Sequence, residues 1–204
     1  WNPLNILSCD ASTVGNLDLG ILNNDIDLIK DLKSNKFEII YLVGQDNLDF
    51  KKKDEFIIYQ GSHGDKGAEI ADIILPGSAY TEQDGYFTNL EGKIQKAYKA
   101  SYPPGNAKED WQIINELAEI MNNRKLFNDK DELESSMFNF IKLQKEKEKE
   151  NINNKVSTNS NFQNEKLNIQ TKDYYFSNVI ARSSKTMIEC NNSKLNLKST
   201  GTEG

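Results

Sequence analysis

The stretch Phe37-Glu38-Ile39-Ile40-Tyr41-Leu42-Val43-Gly44, followed across a short charged connection by Phe56-Ile57-Ile58-Tyr59, decides the fold class. Each run is apolar, β-branched and aromatic without polar alternation, the pattern of a strand buried on both faces of a parallel sheet, and the first stops at a glycine. Upstream, Asp25 to Lys33 carries Ile26, Ile29 and Leu32 at three-residue steps, which predicts a short amphipathic helix. Strands separated by helical pieces place the chain in the layered α/β class.

From Gln60 onward the texture changes. Gly61, Gly64, Gly67, Pro76, Gly77, Gly85, Gly92, Pro103, Pro104 and Gly105 punctuate short extended pieces at Ile73 to Leu75, Tyr86 to Asn89 and Ile94 to Tyr98. A helix follows, with Asn106 as its expected cap, Glu109 three residues on as in a capping box, and an apolar stripe of Trp111, Ile114, Leu117, Ala118 and Met121. A second helix begins near Asp129, spaces Leu133, Met137 and Ile141 by four residues, and is expected to dissolve into the alternating Lys/Glu run from Lys145 to Glu150. The polar, Asn- and Ser-rich stretch after it has too little apolar surface to offset its ordering entropy. Beyond it, Tyr174, Tyr175 and Phe176 cluster, Ser177 or Asn178 offers a cap, and Val179, Ile180, Met187 and Ile188 suit one face of a last helix that docks on a neighbour. The expected division is an α/β domain over 1–128, a charged helix over 129–150, a flexible polar tether over 151–171 and a docking tail over 172–204.

Composition narrows the function classes. Over 204 residues the net charge is -6 and the mean hydropathy is -0.68. An acidic chain whose one basic cluster, Lys51 to Lys53, runs straight into Asp54 and Glu55 is a poor nucleic-acid partner. No apolar run approaches the roughly 20 residues that span a bilayer. Cys9 and Cys190 stand at opposite ends of the chain, outside any disulfide or metal-site spacing, and are expected as free thiols. The first residue is Trp1, which suggests a processed terminus or a section of a longer chain. Almost all basic residues are lysine, with arginine only at 124 and 182.

Three groups of residues are candidates for chemistry. His63, the one histidine, sits in Gly61-Ser62-His63-Gly64-Asp65, where Asp65 would orient it as a general base; without a nucleophile motif, a structural loop histidine is the plainer reading. Gly44-Gln45-Asp46-Asn47 follows a strand end, as ligand turns of α/β proteins do, but lacks the G-x-G-x-x-G spacing. Glu82, Asp84 and Glu91 are close in sequence with nothing to set their acidities apart, and turns are rich in such residues. His63 with Asp65 and Asp72 is likewise a poor metal set.

The order of residues carries more. Tyr59-Gln60-Gly61-Ser62-His63-Gly64-Asp65, Gly67-Ala68, Ile70 to Glu82, Thr88 to Gln95, Pro103-Pro104-Gly105 and Glu109-Asp110-Trp111 together resemble the C-terminal part of the large iron-sulfur subunit of respiratory complex I. Trp1 to Gly20 and Lys172 to Cys190 continue the resemblance. Ala71 to Glu82 with Thr88 to Gly92 is shared with the wider molybdopterin oxidoreductase superfamily, whereas His63-Gly64-Asp65 and the tail ending at Cys190 favour the complex I subunit in its mitochondrial form.

The resemblance implies the C-terminal portion of a molybdopterin-oxidoreductase-like layered α/β domain, followed by helices and a flexible tail. It implies a structural and assembly role in NADH:ubiquinone oxidoreductase, peripheral on the matrix side of the mitochondrial inner membrane. The expected partners are other matrix-arm subunits, above all the cluster-bearing N-terminal part of the same subunit, with the iron-sulfur clusters held there and the subunit either split into separate polypeptides or represented by a fragment. No catalytic, cofactor-binding or metal residue carries over to this chain. The alternative is a fragment of a molybdopterin-dependent oxidoreductase in which Gly44 to Asn47 and Thr88 to Gly92 line a pterin dinucleotide site. A free-standing nucleotide-binding module is a third reading, which the missing glycine fingerprint argues against.

Overall fold

The computed structural model describes residues 11–21, 28–45, 51–151 and 173–199. Cys9, Asp46, Asn47 and nearly all of the expected tether at 151–171 lie outside the described residues. The chain folds as two compact units, one from Trp1–Asp31 with Gly77–Asn164, the other from Leu32–Pro76 with Glu165–Gly204.

The second of these holds a parallel three-stranded sheet, β1 (Ile39–Val43), β2 (Phe56–Gly61) and β3 (Ile73–Pro76), in the order β1-β2-β3. Ile40 pairs with Ile57, and Leu42 with Tyr59, which in turn pairs with Ile74. Asp72 ties β3 to β2: its amide donates to the Ile57 carbonyl at 2.8 Å and its carboxylate accepts the Ile57 amide at 2.8 Å. That amide, and then Lys52, hold its carboxyl below the ordinary range. The core consists of Leu42, Ile57 and Tyr59, packed against Ile40, Ala68, Ile70 and Ala71. Burial on both faces, expected from the apolar runs, is not what β1 shows, since Ile39 is 65% and Val43 47% exposed. Among the described residues, the crossing from β2 to β3 holds one short helix, α3 (Lys66–Glu69), too little chain to cover two faces.

In the first unit, α1 (Thr13–Asp18) precedes an antiparallel hairpin of β4 (Gly85–Thr88) and β5 (Ile94–Ala97). A Cβ at Gly15 would meet Thr88 Oγ1 at 3.0 Å, so α1 packs closely on β4 at this glycine. The helix α2 (Leu28–Lys33) agrees with the latter part of the expected helix, with Leu32 buried; the earlier part, with Ile26, lies outside the described residues.

The helix α4 (Asp110–Asn122) begins after Glu109, not at Asn106. Gly105 is left-handed at φ 57° and the Ala107 amide turns back to the Pro104 carbonyl, so Asn106 lies inside a turn. Lys108 bridges Gly77, its carbonyl accepting the Ser78 amide at 2.9 Å, which keeps the chain extended until Glu109. Gln112 supplies the return half of the cap by accepting the Glu109 amide at 3.2 Å. The expected apolar stripe is rotated: Ile113 and Asn115 are buried, whereas Ile114 and Met121 are exposed.

The last helix of this unit, α5 (Lys130–Asn151), runs through the Lys/Glu stretch instead of dissolving in it, with Ile141 buried. Lys145 there meets Asp18 of α1 at 3.1 Å. Asn115 sets the path from α4 to α5. Its Oδ1 accepts the Leu126 and Phe127 amides at 2.8 and 3.0 Å, and its Nδ2 donates to the Phe127 carbonyl at 2.8 Å. Replacing Asn115 with Ala strands three backbone groups. The expected cost is about 1–3 kcal/mol of stability, read as a lower urea midpoint, and an unchanged midpoint would contradict this role.

Candidate functional site

The loop after β2 is shaped by Tyr59. Its ring lies along its own strand over Gly61, where a Cβ would overlap the hydroxyl and ring, and against Gly67, where a Cβ would sit 2.6 Å from the Gln45 carbonyl oxygen and 2.9 Å from the ring. The hydroxyl then donates to the His63 carbonyl at 3.1 Å. Beside it, Gln60 is fully buried and its Oε1 accepts the Tyr41 hydroxyl. Gly44, at φ 61°, follows β1 and donates its amide to the Gln60 carbonyl at 2.8 Å. The carboxyl ends of parallel strands, where open α/β sheets hold ligands, are thus packed with the protein's own side chains and turns.

Asp65 does not orient His63. Its Oδ2 accepts Arg182 Nε at 2.7 Å and its Oδ1 accepts the Lys66 amide at 2.8 Å, the cap of α3. His63 Nδ1 instead faces Ser62 Oγ at 2.9 Å. Arg182 belongs to α6 (Val179–Ser183), whose Asn178 cap accepts the Ala181 amide at 2.9 Å, and its guanidinium also donates to the Phe176 carbonyl at 3.3 Å. Ser184, extended at ψ 121°, separates α6 from α7 (Lys185–Ser199), so the single last helix suggested by the sequence is two. Cys190 is a free, exposed thiol on α7, and Tyr174 and Tyr175 meet edge to face at 5.5 Å.

The acidic residues of the hairpin region do not converge. Glu82 accepts the Ala79 amide at 2.9 Å within a turn, and Asp84 accepts the Lys99 amide at 2.7 Å, the main cause of its lowered pKa. Thr88 to Gly92 is the hairpin turn itself: Asn89 Oδ1 takes the Glu91 and Lys93 amides at 3.0 and 2.9 Å, and Gly92 adopts φ 80°. Two ion clusters fasten α5 to this hairpin and to the start of α4. Glu134 takes the Tyr86 hydroxyl at 2.6 Å and Lys96 Nζ at 2.8 and 3.0 Å, with Phe138 edge-on to Tyr86 at 5.2 Å. These bonds, Lys96 foremost, lower the pKa of Glu134, and Glu134 in turn raises those of Lys96 and Tyr86. Glu109 Oε2 takes Lys130 at 2.7 Å and the Trp111 indole at 3.0 Å; burial pushes its carboxyl up, but Lys130 and Trp111 outweigh that and leave it lowered.

A pterin dinucleotide, the group the superfamily implies, finds a poor match here. The open depression of about 520 Å³ beside the hairpin turn is lined by Ser12, Thr88, Asn89, Glu91 and Gln95 with apolar neighbours. Among the described lining residues no lysine or arginine faces a diphosphate, and Glu91 would repel one. Among the described residues no group of three or more His, Cys, Asp and Glu side chains is placed to hold a metal ion, and no helix is long and apolar enough to cross a membrane.

The contact between Asp65 and Arg182 is therefore the most specific feature of the loop. Sequence reasoning passed over Arg182, although an arginine in a lysine-rich chain is the residue suited to a planar carboxylate contact. With side chains about one-fifth exposed, the pair should contribute about 1–2 kcal/mol, between an exposed ion pair and a charged hydrogen bond. Burial raises the Asp65 carboxyl, yet Arg182 and the Lys66 amide prevail and hold it below its ordinary 3.8. A lowered carboxyl contributes stability that is complete above its unfolded value and is lost as pH falls through the folded one. Arg182→Ala and Asp65→Asn should each speed proteolysis and amide exchange of 173–199 several-fold at neutral pH, and the parent should match them only below pH 3.8. Equal protection in parent and variants at neutral pH would contradict the contact.

The chain has relatives among known proteins. The molybdopterin oxidoreductase family profile matches residues 1–120, and the profile for the C-terminal region of the G subunit of NADH-ubiquinone oxidoreductase matches residues 132–190. The chain is 40% identical over 93% of its length to the NADH-ubiquinone oxidoreductase 75 kDa subunit of Reclinomonas americana. It is 39% identical over 93% to the mitochondrial 78 kDa subunit of Candida albicans, and 40% over 98% to the G subunit of NADH-quinone oxidoreductase of Rickettsia bellii. It spans 28%, 28% and 29% of the lengths of those three subunits. The chain belongs to the molybdopterin oxidoreductase family, and its continuous likeness is to the large subunit of NADH:ubiquinone oxidoreductase, whose C-terminal profile its last third matches.

Proposed function

We propose that this chain is a structural and assembly part of the large iron-sulfur subunit of NADH:ubiquinone oxidoreductase, peripheral on the matrix side of the mitochondrial inner membrane. In this reading the iron-sulfur clusters, and the electrons that pass through them, belong to the companion N-terminal region of that subunit. One observation carries the proposal. Glu134 and Arg182 both fall in the 132–190 stretch that matches the profile of the large complex I subunit, and each grips a side chain of the 1–120 stretch that matches the molybdopterin oxidoreductase profile, Lys96 and Asp65 respectively. The segment matching the second profile is thus tied to the segment matching the first at two separate points.

The second reading, a fragment of a molybdopterin-dependent oxidoreductase, would use the depression beside Thr88 to Glu91, whose described lining residues, with Glu91 and no lysine or arginine, weigh against it. Native electrophoresis of the solubilised membrane complex separates the two. The chain should migrate with the NADH-oxidising band, and that band should contain iron but no stoichiometric molybdenum or tungsten. Migration apart from NADH oxidation, or molybdenum in proportion to the chain, would overturn the proposal.

A further inference from the structure

Among the described residues, the two faces of the parallel sheet are unevenly covered, and the exposed apolar side chains of one of them lie towards its margins. Leu42, Ile57 and Tyr59 point to one side, beneath Ala68, Ile70 and Ala71, with Ile74 of the outer strand 54% exposed in the same register. One residue off in register, Ile39 beside Phe56 and Ile58 beside Ile73 point the other way. On that side Ile39 is 65%, Val43 47%, Phe56 43% and Ile73 44% exposed, while Ile58 and Leu75 are half-buried. Tyr41 and Gln60 share this register, and the Tyr41 hydroxyl donates there to Gln60, which is fully buried at the middle of the face. The exposed residues come from all three strands.

Parallel sheets occur with helices on both faces, because each crossing connection lays a helix over the sheet and the strands are apolar on both sides. Here the connection from β2 to β3 holds only the four residues of α3. The chemistry of the missing layer follows from the face: branched aliphatic side chains and an aromatic ring around the Tyr41–Gln60 pair, without a charged group on β1–β3 at these positions. Such a surface fits the apolar stripe of amphipathic helices. A source for them follows from length, since the chain spans 28% of the subunits it is similar to. A second copy of the chain is a weaker fit, because two such faces together make an all-sheet sandwich that parallel strands do not form.

We infer that the face carrying Ile39, Val43, Phe56 and Ile73 is the surface through which this chain joins the rest of the large subunit, and that its occupant is a layer of amphipathic helix from the part of that subunit outside these 204 residues. This rests on the assembly reading above and assigns it a surface. The other candidates carry less. The apolar hollow near Tyr80, Trp111 and Phe140 has nothing to indicate its occupant, and Ser62 with His63 has, among the described residues, no third group to complete a catalytic set.

The test places a photoreactive benzoylphenylalanine at Phe56, which keeps an aryl side chain, and irradiates the intact complex before peptide mapping. The expected product joins Phe56 to a helical peptide of the large subunit outside the present sequence, with a control at exposed Glu69 giving no such product. A product within this chain, a product with a second copy, or no product from a complex that contains the chain would overturn the inference while leaving the assembly reading intact. Absence of the chain from the complex would overturn both. As a second arm, Val43→Lys with Ile73→Lys should reduce recovery of the chain in the complex at least about tenfold, as burying an unpaired charge at an interface costs, while the urea midpoint of the chain alone stays near that of the parent. Undiminished recovery would contradict it.

Discussion

The carboxylate of Asp65 and the guanidinium of Arg182 are separated by 117 positions in sequence and by 2.7 Å in the fold. That contact adds a fixed polar tie to the helices and scattered apolar residues of the C-terminal segment, since short helices are marginal by themselves. With it, the loop after β2 loses the free acidic group that would orient His63, and the segment gains a fixed point. One pair thus decides both what the loop does not do and where the tail goes. The pair forms at little entropic cost because each partner is already held: Asp65 caps α3 and Arg182 sits on a helix capped by Asn178, so little side-chain freedom remains to be lost.

Behind this contact stands Tyr59. A ring folded along its own strand needs glycine at 61, and a helix brought against that ring needs glycine at 67. The glycine-rich texture after β2 therefore has a packing cause. In the first unit Asn89 and Gly92 serve the hairpin turn and Glu134 the docking of α5. A domain of the molybdopterin oxidoreductase family in which these loops are tied to the protein's own groups is consistent with a role as scaffold.

Much of the architecture was legible in sequence. The runs ending at Val43, at Tyr59 and at Pro76 became three parallel strands because apolar β-branched residues bounded by glycine and proline have few alternatives. A cap at Ser177 or Asn178 was also visible, since such side chains act locally, and the structure uses Asn178. What was not legible depended on residues distant in sequence. The bridge from Gly77 to Lys108 delays α4 past Asn106, Asn115 is buried in what looked like a polar gap of a stripe, and the alternating charges at Lys145 continue a helix that is already anchored at Glu134 and Ile141. The candidate site followed the same rule: Gly61, His63 and Asp65 stood out locally, whereas Arg182, which settles their role, announced itself only by being one of two arginines.

The central claim is that the tail, and not a cofactor, occupies the company of Asp65 when the chain is in its working assembly. A map of the intact NADH:ubiquinone oxidoreductase at side-chain resolution tests it most directly. The account predicts continuous density from Asp65 to Arg182 at hydrogen-bond distance, with residues 173–199 lying against the parallel-sheet unit. A tail built away from that loop, with density for a pterin or nucleotide beside Asp65, would contradict it.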